Sequence, residues 1–185
     1  MRKAAAVALF GFALAGCRRE PPLPIYGAVP PFSLTAQNGR PFARTALDGQ
    51  VWVADFIFTT CRGPCPLMSY KMRRLQDVAA RYPDVRLVSF TVDPAHDTPA
   101  VLAEYAGRYR ADPARWFFLT GQPAALDALG RGAFKLQSVD GSLIHSTRFV
   151  LVDRRSQIRG YYDSAEDGFL ERIAADIAHL REEGS

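Results

Sequence analysis

Eight consecutive residues, Val51-Trp52-Val53-Ala54-Asp55-Phe56-Ile57-Phe58, are mostly β-branched or aromatic, and a helical pattern begins at Pro66, just beyond them. A short apolar run of this make-up reads as a strand buried on both faces, and such a strand needs layers above and below it. The alternation repeats downstream. Val85–Val92, Trp116–Leu119, Thr147–Val152 and Gln157–Tyr162 read as further strands. Met68, Met72, Leu75, Ala79 and Tyr82 recur at helical spacing over about 66–81. Thr98-Pro99 opens a second helix with Thr98 as its N-cap, and 123–129 and 165–181 supply two more. Phe32-Ser33-Leu34-Thr35 followed by Gln37-Asn38-Gly39-Arg40 reads as a hairpin ahead of the main sheet. The expected class is α/β, a central β-sheet flanked by helices with a short N-terminal β-hairpin.

The N-terminal end has an export pattern. Arg2 and Lys3 precede the uncharged run Ala4–Leu14, which is too short for the ~20 residues a bilayer-spanning helix needs. The run closes on Leu14-Ala15-Gly16-Cys17, which resembles a bacterial lipobox. That resemblance implies a signal peptide over 1–16 and a lipid-bearing Cys17 at the mature N-terminus. Residues 18–31 hold five prolines and read as part of an extended tether, placing the domain at 32–185. Loss of Arg2 and Lys3 lowers the formal charge from +4 to +2, and the arginines are scattered, so nucleic acid is not an expected partner. The expected location is a bacterial cell envelope, with the domain outside the cytoplasmic membrane and attached through lipid.

With Cys17 assigned to lipid, two cysteines remain, in Cys61-Arg62-Gly63-Pro64-Cys65-Pro66 at the strand-to-helix corner. The pair suits two chemistries, a redox couple or half of a soft-metal site. A permanent staple is the bland reading, but so small a loop constrains an unfolded chain little. The positive end of the following helix is expected to favour thiolate at this corner. Of the three histidines, His179 falls in an amphipathic helix and His96 in a polar loop, whereas His145 lies just ahead of the Thr147–Val152 strand. Asp93 and Asp97 lie at a strand end, where turn formation and helix capping compete with a supporting role beside a metal.

Taken together, Cys61-x-x-x-Cys65-Pro66 after Phe-x-Phe-Thr-Thr, Thr91-Val92-Asp93-Pro94 with Asp97-Thr98-Pro99, Leu119-Thr120-Gly121, His145 and the Phe149–Asp153 strand resemble the Sco/SenC family. The resemblance implies a thioredoxin-like fold and copper held by Cys61, Cys65 and His145. Two thiolates and an imidazole suit Cu(I), and can also hold Cu(II) with a weak further ligand. The function so implied is copper delivery to the copper-centre subunit of cytochrome c oxidase or another cuproprotein. An upstream copper donor or a thiol reductant is an implied further partner. The rival is an enzyme, a thiol-disulfide oxidoreductase that uses Cys61 and Cys65 to reduce cysteines of a copper-site partner. One departure stands out: Arg62 follows the first cysteine where many relatives carry proline.

Overall fold

The computed structural model describes residues 21–136 and 146–183. Eight strands form one sheet: β1 (Gly27–Ala28), β2 (Ser33–Ala36), β3 (Pro41–Ala43), β4 (Val51–Ile57), β5 (Val85–Thr91), β6 (Trp116–Thr120), β7 (Arg148–Val152) and β8 (Gln157–Asp163). Their order is β1-β8-β7-β4-β5-β6-β2-β3. The central trio β4, β5 and β6 is parallel, and every other pairing is antiparallel. The helices are α1 (Cys65–Ala79), α2 (Pro99–Arg108), α3 (Pro123–Asp127), which runs on into a π-helical turn, and α4 (Phe169–Glu183). The architecture is the expected α/β sheet with flanking helices and an N-terminal hairpin, β2–β3.

All seven residues of β4 are buried, and their alternation divides the core in two. Val51, Val53 and Ile57 face a cluster with α1, α2 and α4, where Met68, Met72, Leu102 and Ile173 pack. Trp52, Ala54 and Phe56 face the other, with Phe90, Leu126 and Phe134. Thr98 caps α2 as expected, its hydroxyl accepting from Val101 N–H at 3.4 Å. Helix α4 starts at Phe169, later than the expected 165, because 164–168 turn around Gly168, whose φ of +69° breaks the helical path.

Part of the proline-rich segment is held at the sheet edge. Residues 23–29 lie against the domain. β1 pairs with β8, Tyr26 N–H donates to Ile158 O at 2.9 Å and Val29 N–H to Ser156 O at 2.8 Å. Upstream of β1, Leu23 N–H donates to Glu183 Oε1 at 2.9 Å, and Arg159 Nη2 donates to Leu23 O at 2.6 Å. Prolines keep a chain extended, and an extended chain is what an open sheet edge can pair with.

Candidate metal centre

β4 delivers the chain to one pole of the sheet, and α1 carries it back. Between them, Cys61 N–H turns back to Phe58 O at 3.2 Å, and Met68 N–H reaches Pro64 O at 3.0 Å as α1 winds up. Pro66 sits in the first helical turn, where a missing N–H costs nothing. Cys61 and Cys65 are thiols with no disulfide between them, Cys61 half-buried and Cys65 fully buried in the core that α1 covers. Their sulfurs lie within hydrogen-bonding reach of each other. Gly63 N–H also points at Cys61 Sγ from 3.4 Å.

The helix end does not decide the state of Cys65. Burial pushes its thiol far above the usual range, and the Phe58 backbone offsets this only in part. Neighbouring Cys61 and Asp55 push the same way as burial. Desolvation therefore outweighs the expected thiolate-favouring dipole at this residue. A soft cation that replaces the proton would relieve that penalty.

Asp97 braces the corner from the β5–α2 loop. Its buried carboxylate accepts from Thr59 N–H at 3.2 Å, from the Thr59 hydroxyl, and from the Thr91 hydroxyl at 2.5 Å. Thr59 stands two residues before Cys61, so the carboxylate fixes the approach to the first cysteine. Asp93 has a backbone role: its carbonyl accepts from Asp97 N–H at 2.8 Å, and its N–H donates to Thr91 Oγ1 at 2.9 Å. The helix-capping alternative belongs to Thr98.

Asp55 is a residue that the sequence reading passed over. It lies mid-β4 between Val53 and Ile57, on the side of the sheet that α1 covers, and is wholly buried. Its register partner Ser89 is the nearest favourable polar group, yet neither carboxylate oxygen has a hydrogen bond of good geometry among the described residues. Ser89 Oγ instead accepts from Trp116 Nε1 at 2.9 Å. Burial pushes the Asp55 carboxyl up to about 7. The available signal was an acid inside a strand buried on both faces.

His145 lies outside the described residues, as does Cys17. His96 is exposed in the β5–α2 loop. His179 sits on α4 with Nε2 2.9 Å from Glu183 Oε1, at the far end of the molecule from the cysteines. Arg62 is exposed at the rim. Among the described residues no group of three or more His, Cys, Asp or Glu side chains forms a metal cage. The described donors are thus two adjacent sulfurs at a solvent-facing corner. That pair can take a thiophilic ion on one side or close into a disulfide.

The SCO1/SenC family model matches residues 26–182. Among solved structures, the chain is similar to a SCO1/SenC family lipoprotein from Bacillus anthracis, at 32% identity and a TM-score of 0.77 over 84% of this chain and 95% of that one. It is also similar to BsSco, a member of the Sco family of cytochrome c oxidase assembly proteins in which a disulfide switch was identified. That match has 31% identity and a TM-score of 0.76, covering 86% of this chain and 97% of the other. A third likeness, at 25% identity and a TM-score of 0.68 over 83% and 99% of the two chains, is to Bradyrhizobium japonicum ScoI with copper bound.

Proposed function

The chain belongs to the SCO1/SenC family, and from that premise we propose that it is a copper chaperone, tethered to a bacterial membrane by lipid on Cys17. Its cargo is bound by Cys61, Cys65 and His145 and delivered to the copper-centre subunit of cytochrome c oxidase or a similar cuproprotein. The observation that carries this reading is the adjoining pair of thiols at an open corner, one half-buried and one buried. Copper-bound ScoI and the oxidase-assembly role of BsSco support it from outside the chain.

The residues divide the work. Cys61, the more exposed sulfur, meets incoming copper first. Cys65, held by the start of α1, closes the pair, and its proton leaves as the metal arrives. Asp97 keeps the Thr59–Cys61 approach in place through three hydrogen bonds. His145 supplies the nitrogen donor, and three protein ligands leave a side from which an acceptor's thiols can take the ion.

The unequal burial of the two sulfurs also favours a second reading, that of a reductase. Cys61 thiolate would attack a partner's disulfide to give a mixed disulfide. Cys65 would then displace the partner's second thiolate, leaving a Cys61–Cys65 disulfide that an upstream dithiol must reduce. One pair of experiments separates the two readings. On the chaperone reading the reduced protein takes up one Cu(I) and passes it to an apo copper-centre domain, and the disulfide form takes up none. Insulin reduction as fast as that of a thioredoxin, with no copper passed on, would favour the reductase.

A further inference from the structure

Two poles of the molecule are set apart by the sheet. The cysteines occupy the pole where β4 ends and α1 begins. The chain enters the described structure at the other pole, beside the end of α4 and the β7–β8 turn. There, Pro22 and Ile25 line a hollow with Arg154, Arg155 and Leu180. The entry is locked in place by Arg159, which is 7% exposed. Its guanidinium grips Leu23 O at 2.6 Å, Glu183 at 2.7 Å and Asp153 at 2.8 Å. β4 has seven residues, about 23 Å of strand, and α1 has 15, about 22 Å of helix, so the poles stand about 20 Å or more apart.

We propose that the entry pole rests on the membrane surface and that the Leu23–Arg159 strap holds the cysteine corner facing away from it. The inference rests on the lipid-bearing Cys17 proposed above. From Cys17 to Pro21 there are four peptide steps, which reach about 14 Å at full extension. That is shorter than the distance between the poles, so a strapped domain cannot invert to stand on its cysteine corner with the entry pole uppermost. The composition of the pole suits an interface. Ile25 is 60% and Tyr26 53% exposed, and aromatic and apolar side chains with arginines favour the headgroup level. Arg81 and Arg155 are exposed and in no ion pair among the described residues, and Arg18 and Arg19 follow the lipid site in sequence. Cations so placed are attracted to anionic lipid. The consequence is functional: the copper corner stands where an acceptor domain projecting from the same membrane can reach it.

The test uses full-length lipidated protein in vesicles of phosphatidylcholine and phosphatidylglycerol, carrying Cys61→Ser and Cys65→Ala so that only an introduced thiol is labelled. A fluorophore is placed by Glu182→Cys at the entry pole or by Leu67→Cys on α1 beside the corner, and energy transfer to an acceptor lipid is measured. Strong transfer from position 182 and weak transfer from 67, corresponding to a height difference of about 20 Å, is the expected result. A Gly/Ser insert of about twelve residues between 20 and 21, which leaves every folded residue untouched, should bring the two signals together. Equal transfer from both positions in vesicle-bound protein without the insert would overturn the orientation and leave the anchor standing. Protein that fails to float with the vesicles would overturn the anchor and the orientation with it.

Discussion

Asp55 carries a cost that little around it offsets. Its carboxyl titrates near 7 in the fold against about 4 in an unfolded chain, so between those values the folded state holds a proton that the unfolded state has lost. Stability conferred by the protonated form is therefore full at pH 4 and falls as pH rises toward 7, by at most about 4 kcal/mol. Asp55→Asn should raise stability at pH 8 by about 2 kcal/mol or more, leave it nearly unchanged at pH 4, and flatten the profile between. Urea unfolding at the two pH values reads this directly, and parallel profiles for the two proteins would contradict it. Asp97 makes the opposite case, a buried carboxylate with three donors. Asp97→Ala leaves those donors unpaired, so a loss of about 2–4 kcal/mol is expected, with weaker Cu(I) binding because Thr59 no longer fixes the approach to Cys61. Full copper affinity in that variant would remove the bracing role.

Among the elements, β4 and α1 were the most legible, because an apolar β-branched run and a 3.6-residue repeat are signals that local sequence carries. Thr98 was legible as a cap for the same reason. Less visible was anything that depends on what lies opposite. The acid at position 55 stood in plain view, but only the covering α1 face shows that it is buried without a good partner. Cys65 was expected to gain from the helix end, and its burial against Met68 reverses that. The proline-rich segment reads as an extended tether, and its docking is invisible locally because β8 and the Arg159 side chain that hold residues 23–29 lie more than a hundred residues away. The strap makes its own prediction. Arg159→Ala strips Leu23 O, Asp153 and Glu183 of their shared partner, a change of the kind that costs about 3–5 kcal/mol. In a domain of this size, that is a fall of about 10 °C in Tm. It should be accompanied by faster proteolysis before residue 29. A melting point within about 2 °C of the parent would show that the strap contributes little.

At the scale of the whole molecule, the sheet separates the pole proposed to rest on the membrane from a chemical pole, and the family relationship connects the second to copper. The described chain supplies two of the three proposed ligands, and sequence alone supplies the third, His145. That makes the ligand set the central claim. Its most direct test is anaerobic Cu(I) titration of the fully reduced protein against a chromophoric chelator, with His145→Ala alongside. The prediction is one tightly bound Cu(I) per wild-type chain and an affinity at least about tenfold lower in the variant, a difference of about 1.4 kcal/mol. Equal affinity in the two proteins would contradict the three-ligand centre and leave Cys61 and Cys65 as a thiol pair acting without that histidine.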